Sequence, residues 1–226
     1  GDQVFGSAGL ALGANAEYIC LPAEPGEMEG GVAVKPDTMS YAEAATVPFG
    51  GRDALHFLRK ANLQRGQRVL INGAGGSIGT FAVQLAKLFG AEVAAVDSAP
   101  KLDMLRSLGA DRVIDYTRED FTRSGETYDV IFDVVGTLSL SRAAGSLAGE
   151  GTYLLANPMR SQMIQGPWTR MTGSRKVVTE TASGTVADLV FLRDFIEAGE
   201  MRTVIDRCYP LEEIAEAHRY VEKGGK

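Results

Sequence analysis

Residues 69–79 read Val69-Leu70-Ile71-Asn72-Gly73-Ala74-Gly75-Gly76-Ser77-Ile78-Gly79, and an amphipathic pattern opens directly after them. An apolar run, a glycine cluster and a helix-forming stretch, in that order, build a strand, a tight turn and a helix. The unpaired N–H groups of such a helix point at the turn, where they favour an anion. Gly73, Gly76 and Gly79 recur every three residues, and glycine lets a ligand come close to the backbone. The pattern predicts a dinucleotide pyrophosphate over the turn, held by Gly73, Gly75, Gly76, Ser77, Ile78 and Gly79. A bare structural turn accounts for the same glycines. The flanking strand and helix patterns favour the ligand reading.

A second part of the site follows. Residues 91–97 read as the next parallel strand, and Asp97 closes it 18 residues beyond Gly79. That is near the spacing at which an acid accepts hydrogen bonds from the adenosine ribose. Asp97 is equally a candidate N-cap for a helix over 101–108. Ser98 serves that role as well, which leaves Asp97 freer for a ligand.

The rest of the middle alternates in the same way. Strands are expected over 68–72, 92–97, 112–115, 130–135 and 152–156, and helices over 78–89, 101–108 and 138–147. Alternation of this kind gives an α/β fold, a doubly wound parallel sheet covered by helices. Ligands in such sheets lie beyond the carboxyl ends of the strands. That rim brings in Tyr116, Val135, Gly136, Leu155 and Ala156, the last four expected on the nicotinamide side. Ahead of the sheet, residues 17–21 look strand-like and 32–36 extended. Ser40-Tyr41-Ala42-Glu43 is a capping box, and a helix is expected over 53–60. Residues 157–178 look irregular. A helix over 186–197, a strand over 203–206 and a helix over 211–223 close the chain.

Composition narrows the partners. The 226 residues are 45% apolar with a net charge of −6, enough for one large core and part of another. No basic cluster appears, which speaks against nucleic acid and anionic membrane surfaces. No apolar run reaches membrane-spanning length. Cys20 and Cys208, far apart, read as reduced thiols of a cytoplasmic protein. The chain starts in mid-pattern without Met and reads as a piece of a longer protein, truncated at both ends.

With these segments in view, the chain resembles the medium-chain dehydrogenase/reductase superfamily, in its zinc-independent quinone oxidoreductase and alkenal reductase branch. The likeness rests on Gly1-Asp2-Gln3-Val4-Phe5-Gly6, Ala44-Ala45-Thr46-Val47-Pro48, residues 54–60 and the glycine turn with its helix. It continues through Gly109-Ala110-Asp111, Val113-Ile114-Asp115-Tyr116, Asp133-Val134-Val135-Gly136, Tyr209-Pro210-Leu211 and Ala215-Glu216-Ala217-His218. It covers nearly the whole chain in order.

The resemblance implies three parts. These are a remnant of a GroES-like β-barrel catalytic domain over 1–36, a Rossmann dinucleotide-binding domain over 37–180, and C-terminal helices and a strand over 181–226. It implies an NAD(P)H-dependent enzyme that passes hydride to a quinone or an α,β-unsaturated carbonyl. An alcohol dehydrogenase-like activity and a nucleotide-binding module without catalysis are the alternatives. Where zinc-dependent relatives place a ligand cysteine, this chain has Phe49, so no metal is expected. His56 and His218 read as packing or surface residues. Asp53 stands where threonine is usual, as a helix cap or a nicotinamide neighbour. No residue is assigned as proton donor, because the tyrosines of some relatives precede Gly1.

Cofactor choice stays open between NADP and NAD. Asp97 favours NAD by charge, whereas Lys101 and Tyr116 align with positions that contact the 2′-phosphate in NADP-dependent quinone oxidoreductases. Lys101 paired with Asp97 across one helical turn is the plainer alternative. A homodimer through a sheet edge near 152–156 and residues 159–171 is one expectation, and a flexible substrate loop accounts for the same residues equally well, with Trp168 packing in either.

Overall fold

The computed structural model describes residues 1–9, 13–23, 25, 29–157 and 174–224. The chain divides into two compact units, Gly1–Arg52 with Ser183–Lys226, and Asp53–Ala182.

The second unit is built on a parallel sheet, six-stranded among the described residues. Its strands are β3 (Arg68–Asn72), β4 (Glu92–Asp97), β5 (Arg112–Asp115), β6 (Tyr128–Asp133), β7 (Leu147–Leu155) and β8 (Lys176–Thr179), in spatial order β5-β4-β3-β6-β7-β8. The order reverses at β3. One branch runs to β4 and β5, the other to β6, β7 and β8, which is the doubly wound arrangement. Right-handed crossovers, general for parallel strands, send the connecting helices of the two branches to opposite faces.

Burial explains the strands. Val69, Leu70 and Ile71 of β3 are all 0% exposed, as a strand covered on both faces requires. Helix α3 (Ser77–Leu88) is buried along nearly its whole length, from Ile78 to Ala86. Helices α2 (Arg52–Ala61), α4 (Leu102–Ser107) and α5 (Leu140–Ser146) complete the second unit. On the face that α5 covers, the core joins Leu70, Ile114, Phe121, Ile131, Leu140 and Tyr153 across the strands.

In the first unit, β1 (Val4–Ser7) pairs antiparallel with β2 (Gly31–Val34). The expected capping box starts α1 (Tyr41–Thr46). The Glu43 N–H donates to Ser40 Oγ at 3.2 Å, and the Ser40 N–H donates to Glu43 Oε2 at 2.8 Å. A π-type turn, Val47–Gly51, follows. Helices α6 (Val186–Glu197) and α7 (Ile214–Glu222) belong to the same unit.

Several expectations need correction. Residues 203–206 form no strand, and neither do 17–21. Each is apolar enough to look extended, but a strand needs a ladder partner, and among the described residues neither has one. The reverse error is β8, read as irregular. Four residues are too few to show a period, yet Val177 and Val178 are 4% and 3% exposed and pair with β7. Its presence also moves the sheet edge. β7 is paired on both sides, so residues 152–156 are interior rather than a free edge. Residues 159–171 and Trp168, expected beside that edge, lie outside the described residues.

Loops at the amino ends of the strands are tied by charge. Lys87 Nζ and the Val93 N–H both donate to Asp111 Oδ2 at 2.7 Å. Burial pulls the Asp111 carboxyl upward, but the Lys87 and Val93 bonds outweigh it and hold it below the usual carboxylate range. A depressed folded value gives stability that is present above the unfolded value and lost as pH falls through the folded one. The urea midpoint is therefore expected to fall as pH drops below about 5, and to fall less in Asp111→Asn. Equal drops would remove Asp111 from the explanation.

Candidate cofactor site

The carboxyl ends of β4, β3, β6 and β7 form one rim. Parallel register sets Asn72 beside Val96 and Asp133, and Asp133 beside Leu155. The glycine turn leaves β3 between these neighbours. The N–H groups of Gly73 and Ala74 donate to Val96 O at 3.0 and 3.1 Å, which fastens the turn to β4. Gly73 has φ +85°, and a Cβ there would overlap Val135 Cγ2. A Cβ on Gly79 would stand 2.5 Å from Ala74 O. These two glycines are demanded by the protein's own packing.

Gly76 is different. It N-caps α3 with φ −85° and ψ 178°, an extended backbone that any residue adopts. A Cβ there would meet only Gly73 O, at an ordinary 3.5 Å. No side chain caps α3, so the first N–H groups of a twelve-residue helix face that open room. The protein itself does not need glycine at this position. An anion seated on the helix N-terminus does.

Asp97 is 8% exposed. Its Oδ2 accepts the Gly75 N–H at 2.7 Å, and its Oδ1 accepts the Ser98 N–H at 2.8 Å. The expectation that Ser98 caps the next helix, leaving Asp97 freer, does not hold. Ser98 makes no side-chain cap bond, and Asp97 spends both oxygens on backbone N–H groups. The reason is distance: β4 runs beside β3, which brings Asp97 against the glycine turn. Lys101 Nζ stands 3.7 Å from Asp97 Oδ1. Its stem lies across Gly75, where a Cβ would overlap Lys101 Cδ. Tyr116 follows β5 and is 62% exposed, its N–H donating to Asp97 O at 3.2 Å. Asp97, Ser98, Lys101 and Tyr116 thus gather around one side of the turn.

On the other side, Val135 is 50% exposed at the rim. Gly136 is buried and Ala156 half-buried. Leu155 is 1% exposed and belongs to the core, so its side chain does not reach the rim.

Sequence reasoning missed a buried polar cluster beneath this loop. Asp133 is 0% exposed. Its Oδ1 accepts Asn72 Nδ2 at 2.9 Å and the Gly136 N–H at 3.0 Å. Its Oδ2 accepts the Leu138 N–H at 3.1 Å and Tyr153 Oη at 2.8 Å. Burial first, then the charge of Asp133, push the Tyr153 phenol up, so it stays protonated and donates. Asn157 completes the set, its Nδ2 donating to Val134 O at 2.7 Å. The available signal was a polar residue closing each of two adjacent apolar strands, Asn72 and Asp133.

The candidate zinc positions do not form a site. His56 Nε2 lies 2.7 Å from Glu180 Oε1, and Lys60 Nζ lies 3.0 Å from the same oxygen. Burial draws the Glu180 carboxyl up, and the bonds from Lys60 and His56 outweigh it and hold it low. His218 is exposed on α7 and Phe49 is 67% exposed. Among the described residues, no group of three His, Cys, Asp or Glu is placed to hold a metal ion. Asp53 sits half-buried in the first turn of α2.

The zinc-binding dehydrogenase family matches residues 108–226. The chain belongs to this family, within the medium-chain dehydrogenases/reductases. It is 34% identical to 2-methylene-furan-3-one reductase of Solanum lycopersicum, over 99% of this chain and 55% of that protein. It is also 34% identical to the chloroplastic NADPH-dependent alkenal/one oxidoreductase of Arabidopsis thaliana, over 98% of this chain and 55% of that protein. The quinone oxidoreductase of Coxiella burnetii superposes with a TM-score of 0.77 at 25% identity, covering 87% of this chain and 63% of that one. The chain thus spans about 55% of the length of these curated relatives. The family name carries zinc, but the donor set among the described residues does not fit a zinc site.

Proposed function

We propose that the chain carries the nucleotide-binding part of an NAD(P)H-dependent oxidoreductase that reduces a quinone or an α,β-unsaturated carbonyl. The observation that carries this reading is Gly76, open and unstrained at the N-terminus of α3 amid glycines that packing requires. The pyrophosphate would rest over Gly75–Gly79 against the first N–H groups of α3. Ser77 and Ile78 lie in that first turn. The adenosine end would lie among Asp97, Ser98, Lys101 and Tyr116, and the nicotinamide end beside Val135, Gly136 and Ala156. The bound nicotinamide supplies the hydride. The chain's own residues bind it, orient it and keep water from it. The named relatives, an alkenal/one oxidoreductase and a quinone oxidoreductase, support the acceptor class.

The reading favours NADPH. Both Asp97 oxygens already accept backbone N–H groups, and the Lys101 ammonium offsets its charge. A lysine beside the ribose suits a 2′-phosphate. Titration with NADPH and NADH side by side, followed by nicotinamide fluorescence, tests this. NADPH is expected to bind about tenfold tighter, and Lys101→Ala to erase that preference. NADH winning would reverse the cofactor assignment, and binding of neither would overturn the function.

Among the described residues no helix is long and apolar enough to cross a membrane. Cys20 and Cys208 are free and exposed, which suits a cytoplasmic location. A homodimer would pair along β8, one of the two edge strands of the sheet among the described residues.

A further inference from the structure

The loop between β6 and α5 carries Val135 to the rim, and two groups hold it from different directions. Asp133, from below, accepts the N–H groups of Gly136 and Leu138. Asn157, two residues beyond β7, donates its Nδ2 to Val134 O at 2.7 Å. The Asn157 backbone also packs on the loop. Gly136 has φ +77°, and a Cβ there would overlap Asn157 O. Between loop and glycine turn there is no slack, because Val135 Cγ2 occupies the space that a Cβ on Gly73 would take. A shift of the loop toward the turn is therefore blocked by Val135.

We infer that Asn157 is a positioning residue that fixes the height of the Val134–Gly136 loop, so that Val135 seats the nicotinamide end of the dinucleotide. This rests on the proposed function. Asn157 is exposed, yet it commits its amide to a loop carbonyl. Its removal opens no core cavity, because the Asn157 side chain stands at the surface. What is lost is the register of the loop. The adenosine end lies across the turn, around Asp97 and Lys101, and does not touch this loop.

That division gives the test. The unaltered chain, Asn157→Ala and Gly136→Ala are each titrated with NADPH and with its adenosine half, adenosine 2′,5′-bisphosphate. Asn157→Ala is expected to weaken NADPH by about three- to tenfold and to leave the adenosine half within about twofold. Gly136→Ala, which drives the loop off Asn157, gives the same signature with a larger NADPH loss. A merely structural role weakens both ligands together, and that result, or unchanged NADPH binding, overturns the inference while leaving the proposed function standing. An unaltered chain that binds neither probe overturns both.

Discussion

Replacing Gly76 with alanine is expected to leave the fold intact and to weaken dinucleotide binding by about 5- to 150-fold. The backbone at Gly76 is ordinary, and the added methyl has room within the protein. The methyl enters the space in front of the α3 N–H groups, where a pyrophosphate must come into contact. Gly79→Ala is the opposite case. Its Cβ would stand 2.5 Å from Ala74 O and press on Gly73 O. Backbone oxygens cannot swing aside, so this change is expected to cost about 2–4 kcal/mol of stability. Urea unfolding and NADPH titration on both variants separate the two effects. Gly76→Ala with unchanged binding would show that the turn seats no nucleotide.

The largest loss of stability is expected from Asp133→Leu. Leucine fills a similar volume but accepts nothing. Asn72 Nδ2, the N–H groups of Gly136 and Leu138, and Tyr153 Oη then lose their acceptor where Asp133 is 0% exposed. Unpaired buried donors cost about 1–3 kcal/mol each, and neighbouring losses do not add fully, so a total of about 3–5 kcal/mol is expected. Asp133→Asn keeps one acceptor oxygen and is expected to cost about 1–3 kcal/mol. Urea midpoints for both measure this order. A Leu variant as stable as the parent would mean that the cluster contributes nothing net, as buried polar groups sometimes do.

These two sites differ in how far the sequence discloses them. β3 and β4 are legible because a strand buried on both faces is a short apolar run bounded by turn residues. The glycine turn is legible because its spacing is local. Asp97 is found by its distance along the chain, but its partners are not, since the Gly75 N–H meets it across two strands. Asp133 shows the same limit more strongly. Its donors come from β3, β7 and the loop after β6, and only parallel register brings Asn72 and Asp133 together. Asn157 lies in a segment with no period, so its hold on Val134 is visible only in three dimensions. β8 is hidden because a four-residue strand carries no pattern of its own.

The division of the chain has a consequence for its synthesis. Asp53–Ala182 is one continuous stretch, whereas the other unit is assembled from Gly1–Arg52 and Ser183–Lys226. A ribosome releases the first of these pieces before that stretch and the second after it. The sheet can close while β1, β2 and α1 still wait for α6. Until then Phe5, Ala33 and Val47, buried in the finished protein, have no late partner to cover them. An unfinished early segment with exposed apolar side chains is what chaperones bind during translation. The order of the units thus leaves residues 1–52 open to misassembly for longer than the sheet that follows them in the chain.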